Sequence, residues 1–444
     1  MKISIIGGAG YVGLITGLGL AQLGHKVTNI DIAEEKIKTL LNGKSPIYEE
    51  HIESVLENCL SSGNINFTTD PSDSIFDSDI IIIAVGTPSN KGGDIDLTQI
   101  KSAIEQIKSN FKTYKVVVMK STVPLDAVEL MRQEFSKQHQ EGKDFDIVSN
   151  PEFLREGKAV FDFFNPERIV IGTNSEKAFK LIEEMYRDLI DRKKGLDEIS
   201  QENKKIPVLK TSLASAQMIK YGSNAFLATR ISFINELAEL CEYVGADINE
   251  VSKGMGLDSR IGESYLQPGP GFGGPCLEKD LNALNALAKN RGLFLKIFKE
   301  VLERNNVQID EIIRKIKKSV SINESLITIW GLSFKAGTDD IRNSSSVRLI
   351  ENLSTLNAKI KVFDPVATFN SPISKDLEIF EDPYLSVEDS DILVIMTEWP
   401  DFLEYDYSRI FQSMRGKNIV DARNILNSSF IKALGFSYSG IGVI

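Results

Sequence analysis

Cys276 stands where the glycine- and proline-rich run QPGPGFGGPC (267–276) gives way to the helical pattern LEKDLNALNALAK. A thiol at a helix N-terminus is favoured as thiolate by the helix dipole and the first-turn N–H groups, which activates it as a nucleophile. Asp280 lies one turn on, with Lys279 beside it, so a base and a cation are near the sulfur. The Asp280 carboxylate opposes the dipole, and the sequence alone does not sign the net effect on the thiol. Lys220 and Asn224, four apart in IKYGSNAFLATRISFINE, share a helix face. A lysine among apolar neighbours can hydrogen-bond a developing oxyanion while the amide fixes a water or hydroxyl. The plainer alternative is a lysine whose head snorkels to solvent. Glu152 and Glu156 are also four apart, in SNPEFLREGKAVFDFFNPERIVIG; on a helix they would share a face beside Phe153 and Leu154, and one could serve as general base. Two solvated glutamates near a helix start are the alternative.

A second group of residues speaks of a dinucleotide. Gly8, Gly10 and Gly13 fit GxGxxG directly after a strand-like run, with Tyr11 and Val12 inside the motif, and Asp31 closes the next strand-like run. The glycines allow a tight turn and close backbone approach to a pyrophosphate, the helix N-terminus supplies positive partial charge, and the acid can bind ribose hydroxyls. A carboxylate there disfavours a 2′-phosphate, so NAD is expected over NADP. VGTPSN (85–90) and KSTVP (120–124) each follow a buried run and fall at strand C-termini, where open α/β sheets bind ligands. Thr87, Ser121 and Thr122 can touch cofactor or water there, or simply cap turns. Lys335 and Arg342 in GLSFKAGTDDIRNSS, Arg260 in DSRIG and Arg423 in VDARN can meet phosphates, or stay surface cations. A dinucleotide fold, a poised cysteine and loop cations together favour an enzyme that oxidises a phosphorylated or nucleotide-linked substrate.

The elements that must carry these residues are legible in outline. KISIIGGAGYVGLITGLGLAQLGHKVTNID reads as strand, glycine turn, helix, strand. Buried strands are expected at 64–67, 79–85, 114–119 and 144–148, and their unbroken apolar character predicts a parallel sheet covered on both faces. From Thr211 to about Val244 no proline occurs, and one helix of roughly 50 Å fits at 1.5 Å per residue, long enough to bridge domains. Two helical stretches follow the Cys276 loop up to about Ser319. Strands recur at 326–330, 359–364, 391–396 and 418–420, a second nucleotide-type sheet without the glycine fingerprint. The expected architecture is α/β, with two Rossmann-like doubly wound domains joined by a long central helix. Its segments are 1–205, which binds NAD; 206–319, a helical dimerisation domain with the cysteine loop; and 320–444, which binds a nucleotide sugar.

Composition narrows the function classes. The chain has 444 residues, 62 acidic against 51 basic, a formal charge of −11, and no cluster of cations, so nucleic acid is not the expected partner. Three cysteines without a CxxC pair indicate neither a disulfide framework nor a zinc site, and Cys59 and Cys241 read as buried side chains in helical patterns. Three histidines in polar contexts make a histidine-centred mechanism or metal site improbable. No apolar run reaches membrane-spanning length, and the N-terminal strand leaves no room for a signal peptide, so a reducing, cytoplasmic setting without metal or membrane is expected.

GAGYVG, KSTVP, NPEFLREG, IKYGSNAFLATRISFINE, GPGFGGPCLEKD, GLSFKAGTDDIRNSS and TEWPDF occur in one order over nearly the whole length. In this the chain resembles the UDP-glucose 6-dehydrogenase family of nucleotide-sugar dehydrogenases. The resemblance implies oxidation of a sugar C6 alcohol to a carboxylate with two NAD+ and no metal. By it, Cys276 attacks the aldehyde and a thiohemiacetal is oxidised to a thioester. Lys220 and Asn224 stabilise oxyanions, and Thr122, Glu152 and Asp280 position or deprotonate alcohol and water. Asp31, Lys36, Thr87, Ser121, Glu156 and Arg342 go to NAD. Phe153, Leu154, Lys220, Asn224, Tyr265, Gly273, Lys335 and Arg423 go to the nucleotide sugar. Arg260 reaches a neighbouring subunit's substrate, which implies a homodimer or larger assembly. Ala214 and Gln217 stand where glutamates are common, and Pro275, Leu277 and Glu278 where Ser, Phe and Pro are common. The GFGG loop with the KD pair favours UDP-glucose over UDP-N-acetylhexosamines, with GDP-mannose the nearest rival. A two-electron β-hydroxyacid-type dehydrogenase, which needs no cysteine, and a non-catalytic nucleotide-sugar binder are the remaining alternatives.

Overall fold

The computed structural model describes residues 1–88, 90, 93–110, 113–192, 205–369 and 377–443. It divides into two compact units, Met1–Ser223 and Asn224–Ile444.

In the first unit the strands are β1 (Lys2–Ile6), β2 (Lys26–Ile30), β3 (Ile65–Thr68), β4 (Ile80–Ile83), β5 (Lys115–Met119), β6 (Phe145–Ser149), β7 (Ile169–Gly172) and β8 (Val208–Thr211). They form one sheet in the order β3-β2-β1-β4-β5-β6-β7-β8. The first six strands are parallel; Ile3 registers with Val27 on one side and with Ile80 on the other. Their order, 3-2-1-4-5-6, is the Rossmann order. Alternation explains why near-continuous apolar runs were needed. Ile3, Ile5, Ile80, Ile82, Val116 and Val118 enter the core on one face. Ile6, Ile81, Ile83, Val117 and Met119 enter the core on the other. With each buried isoleucine contributing roughly 1.5–3 kcal/mol, a sheet covered on both faces tolerates no polar alternation. Every strand expected in this unit forms, with ends that differ by one or two residues. β7 and β8 were not foreseen, and β7 runs antiparallel to β6.

The second unit repeats the plan. β9 (Leu326–Trp330), β10 (Lys359–Phe363), β11 (Leu377–Phe380), β12 (Ile392–Ile395), β13 (Asn418–Asp421) and β14 (Ser437–Gly440) form a parallel sheet in the order β11-β10-β9-β12-β13-β14, again 3-2-1-4-5-6. Ile327, Ile329, Val362 and Val394 face one core and Trp330, Phe363, Leu393 and Ile395 the other. β11 and β14 were not foreseen. The second turn also differs chemically. Asp364, one residue beyond β10 and so in the place Asp31 takes after β2, accepts from the amides of Leu332, Ser333, Val366 and Ala367. That carboxylate is tied to its own loops, and the turn after β9, GLSFKAG, lacks the GxGxxG spacing of a dinucleotide fingerprint.

One helix, Leu213–Val244, runs 32 residues, and the division between the units falls within it. Its apolar positions spread around the axis because different stretches pack on different cores. In the second unit Ile234, Ala238 and Cys241 are buried beside Ile309, Ile312 and Ile316 of the helix Lys296–Ser319. No helix among the described residues is long and apolar enough to cross a membrane.

Candidate active site

Glycine geometry builds the dinucleotide cradle at the end of β1. Gly7 adopts φ +83°, and a Cβ there would lie 2.7 Å from the Ala84 carbonyl oxygen. The amides of Gly7 and Gly8 both donate to Ile30 O at 2.9 Å, closing the turn on β2. A Cβ on Gly13 would sit 2.1 Å from Gly7 O, so only glycine lets the helix Tyr11–Gln22 start this close to the turn. Gly10 caps that helix with no side-chain hydrogen bond, and the first turn holds no acid. Its orphan amides and positive dipole end are therefore not answered from within the helix, as a pyrophosphate requires. Asp31 is held upright by Ala9 N at 3.0 Å and Ala33 N at 3.1 Å, one to each oxygen. These features fit NAD. Lys36 is exposed on the helix Glu34–Leu41, and Val12 is half-buried.

Beside the cradle, Tyr11 donates to the buried carboxylate of Glu49, which also accepts from Gly157 N at 2.8 Å and Ala159 N at 2.6 Å. Burial, then the Glu49 charge and hydrogen bond, then Glu156, push the Tyr11 hydroxyl far above its usual range, so it is a fixed donor. Glu49 thus stitches the cradle helix to the NPEFLREG segment. Ser121 donates to Val85 O at 2.7 Å, tying the loop after β4 to the end of β5; Thr87 and Thr122 flank this tie, both half-exposed.

The NPEFLREG segment is not helical over 151–158; the helix begins at Ala159. This corrects the shared helix face expected for Glu152 and Glu156. Glu152 is buried and its Oε1 lies 2.8 Å from Lys220 Nζ, while Oε2 accepts from Leu154 N at 2.6 Å. Burial would raise the Glu152 carboxyl, but the Lys220 charge and hydrogen bond, the Leu154 amide and the Lys120 charge outweigh it and hold the group below its ordinary value. Lys220 is 4% exposed, which removes the snorkelling alternative, and it sits 5.5 Å from the Phe153 ring centre. Arg168 stacks on the same ring at 3.7 Å. Three residues that sequence reasoning passed over stand here: Lys120, Asn150 and Tyr186, all buried. Lys120 opens the KSTVP motif, and a lysine directly after the wholly apolar run VVVM is the sequence signal for it.

In the second unit Cys276 is exposed and is the N-cap residue of the helix Leu277–Lys289, without a side-chain cap. Glu278 and Asp280 place negative charge in the first turn. Asp280 is 1% exposed; it accepts from Asn224 Nδ2 at 2.6 Å and from Lys279 Nζ at 2.6 Å. The loop before the cysteine is gripped by buried amides. Asn235 Oδ1 accepts from Gly269 N at 2.8 Å, Gln308 Nε2 donates to Gly269 O at 2.7 Å, and Asn305 bonds Phe272 through both its N–H and C=O. Gly271 has φ +92°, and a Cβ there would lie 2.7 Å from Asn305 Oδ1. A Cβ on Gly273 would be 2.6 Å from Asn343 O, and Gly274 N donates to Arg342 O at 3.0 Å. The cysteine loop thereby packs on GLSFKAGTDDIRNSS.

That second loop carries Lys335, which lies 5.7 Å from the Phe334 ring centre. Arg423 donates to Met396 O at 2.9 Å and Phe334 O at 3.0 Å, and its Nε is 3.0 Å from Glu398 Oε2, so it fixes the loop while standing beside Gly269. Arg342 pairs with Asp340, and Arg260 pairs with Asp258 at 2.6 Å on an exposed turn. Tyr265 holds a left-handed φ of +61°. The predicted residues therefore gather as two clusters. Glu152, Phe153, Leu154 and Lys220 belong to the first unit. Asn224, Gly273, Cys276, Asp280, Lys335 and Arg423 belong to the second.

Known proteins match along the whole chain. Residues 1–190 match the NAD binding domain of the UDP-glucose/GDP-mannose dehydrogenase family, 214–307 its central domain and 328–428 its UDP binding domain. UDP-glucose 6-dehydrogenase TuaD of Bacillus subtilis is 41% identical over 444 residues, covering 99% of this chain and 93% of the relative. The UDP-glucose 6-dehydrogenase of Rickettsia typhi is 38% identical, covering 100% and 99%. Among solved structures, a UDP-glucose dehydrogenase from Pyrobaculum islandicum superposes with a TM-score of 0.88 at 32% identity, covering 100% and 98%. A UDP-D-ManNAc dehydrogenase from Pyrococcus horikoshii gives 0.85 at 28%, covering 100% and 99%. NAD is accordingly the cofactor. This chain belongs to the UDP-glucose/GDP-mannose dehydrogenase family.

Proposed function

We propose that the chain oxidises UDP-glucose at C6 to UDP-glucuronate in two NAD-dependent two-electron steps through a thioester on Cys276. The observation that carries this reading is an exposed Cys276 at a helix N-terminus one turn before a buried carboxylate, Asp280, shared by Asn224 and Lys279. Bound NAD+ supplies the hydride acceptor for each oxidation. In the first oxidation the C6 alcohol gives up a hydride and its hydroxyl proton, with Glu152, Asp280 and Thr122 as the groups that take or relay that proton. The Cys276 sulfur then adds to the aldehyde carbon, and the new oxyanion is stabilised by Lys220 and Asn224. Loss of the second hydride from C6 turns the thiohemiacetal into a thioester. Water attacks that carbonyl, the C–S bond breaks, and the thiol regains its proton as the acid leaves.

In this reading residues 1–205 bind NAD, with Gly8, Gly10, Tyr11, Val12, Gly13, Asp31, Lys36, Thr87, Ser121 and Glu156 as its contacts there and Arg342, from outside that segment, as a further one. Residues 206–319 supply the cysteine loop and a dimer surface. Residues 320–444, with Lys335 and Arg423, hold the UDP portion. Phe153, Leu154, Tyr265 and Gly273 shape the sugar pocket, and Arg260 serves a neighbouring subunit. Phe226, Phe233 and Leu240 recur every seventh residue along the long helix and are 61%, 49% and 56% exposed, an apolar stripe suited to the same stripe on a second copy. A reducing cytoplasm suits a protein whose three cysteines form no disulfide.

The test is NADH formed per sugar consumed at limiting UDP-glucose, with GDP-mannose and UDP-N-acetylhexosamines in parallel. Two NADH per UDP-glucose, little from the others, and no acid from Cys276→Ser are expected. One NADH per sugar would overturn the thioester, and preference for another sugar would overturn the substrate. Sedimentation of Phe233→Glu, expected to run as monomer, tests the dimer.

A further inference from the structure

Lys120 has no surface role. It follows β5 directly, its backbone amide is fixed to Ile83 O at 3.0 Å, and the residue is 5% exposed. Its ammonium is held by neutral acceptors, Asn150 Oδ1 at 3.1 Å, Asn150 O at 3.4 Å and the Tyr186 hydroxyl at 3.4 Å. The holder is itself built. Asn150 Nδ2 donates to Val170 O at 2.8 Å, which turns Oδ1 towards the lysine, and the Tyr186 hydroxyl donates to the same Oδ1 at 2.8 Å. Taking an ammonium out of water costs several kcal/mol, and neutral acceptors return only part of it. An apolar side chain would fill the space at less cost, so the charge itself is the feature to explain.

Its acceptor Asn150 stands two residues before Glu152 in the segment after β6, and Glu152 pairs with Lys220 of the long helix at 2.8 Å, so these two charges act on the ammonium. The third titratable neighbour, Tyr186 at the end of the helix Glu176–Met185, is kept neutral because burial pushes its hydroxyl up. We propose that Lys120 is a positioning residue for the Glu152–Lys220 pair, a second buried cation that holds Glu152 ionised and keeps the cluster net positive for the oxyanions formed on the substrate. The assignment rests on the oxidation proposed above. Burial lowers the Lys120 ammonium to about 8, with Glu152 opposing and Lys220 adding to the depression. Protonated, Lys120 leaves the three groups at +1; neutral, at zero. Turnover therefore falls on the acid side as Glu152 protonates and changes again as Lys120 loses its proton.

The experiment is the pH profile of kcat for Lys120→Met and Tyr186→Phe, with Tm and NADH stoichiometry alongside. Lys120→Met should lower kcat about tenfold or more. Its acid limb should move up by about one pH unit, because Glu152 loses a stabilising charge. Its Tm should hold or rise. Tyr186→Phe should shift the alkaline limb downward, since Lys120 gives up its proton more readily with one acceptor gone. Lys120→Met with an unmoved acid limb, or with kcat reduced equally at every pH and a lower Tm, overturns the proposal. If Lys120→Met does not fold, Tyr186→Phe with an unmoved alkaline limb overturns it. Wild type giving two NADH per UDP-glucose isolates either result from the function itself. If wild type does not turn over UDP-glucose, that reading fails separately, and the same limbs are read in UDP-glucose affinity.

Discussion

Asn224 donates its side-chain amide to Asp280 across 2.6 Å, linking the long helix to the helix that Cys276 caps. The carboxylate is 1% exposed and takes a second donor, Lys279 Nζ, on its other oxygen. A buried acid with a donor on each oxygen is fixed in orientation, as a group that must present a lone pair to water has to be.

Asp280→Asn tests this directly. The amide can accept from Asn224 only by turning its own NH2 towards the Lys279 ammonium, so donor meets donor. We expect a loss of about 1–3 kcal/mol in unfolding free energy, together with a fall in acid formation of about 100-fold or more. Urea unfolding and UDP-glucuronate release check the two effects. Acid release at the wild-type rate would remove Asp280 from the chemistry.

Much of this arrangement was legible in the sequence, for a physical reason. Strand-turn-helix spacing fixes Gly8, Gly10, Gly13 and Asp31 locally, and Cys276 is marked by the change from glycine loop to helix. Partnerships across the fold were not. Glu49 sits in a polar stretch, yet it binds Gly157 and Ala159 more than a hundred residues away. Asn150 meets Lys120 because β5 and β6 are neighbours in the sheet, and Tyr186 reaches both from the end of the helix Glu176–Met185. Asn235, Asn305 and Gln308 look like ordinary polar helix positions, and only the fold turns them onto the cysteine loop. The helix expected over Glu152 and Glu156 failed because the segment's partners, Lys220 and Glu49, lie outside it. β7 and β8 were missed because four-residue runs carry little periodicity.

Two glycine substitutions should behave oppositely. Gly13→Ala puts a Cβ 2.1 Å from Gly7 O, and backbone cannot yield cheaply there. NAD affinity should fall at least tenfold by calorimetry, with stability reduced. Gly254→Ala, inside the helix Ile248–Gly256 with open space around its Cβ, should stabilise by about 0.5–1 kcal/mol and leave NAD binding alone.

Asn305→Ala should separate the loop from the chemistry. It removes both bonds to Phe272 and leaves two buried backbone groups without that partner. A cost of about 2–3 kcal/mol is expected, with kcat for acid formation falling while NAD affinity stays at the wild-type value. The loop carries the nucleophile and the cradle lies in the other unit. A loss of NAD affinity equal to the loss in kcat would show that the substitution acts through general unfolding instead.

The Glu152–Lys220 pair predicts a pH dependence whose sign reverses in one variant. In wild type the folded carboxyl lies below its ordinary value, near 4.3 when unfolded. The pair's stabilisation is therefore complete above that value and is lost as pH falls through the lower, folded one. Lys220→Met removes the main opposing charge, and burial then acts on Glu152 with only the Leu154 amide and Lys120 against it. Breaking a buried pair costs about 3–5 kcal/mol at neutral pH. Because the folded carboxyl now titrates above the unfolded one, protonation relieves the cost. The deficit relative to wild type should shrink between pH 7.5 and pH 5.5 in urea unfolding. A deficit that is constant across that range would mean Glu152 stays ionised without Lys220, and that Lys120 alone suffices to hold its charge.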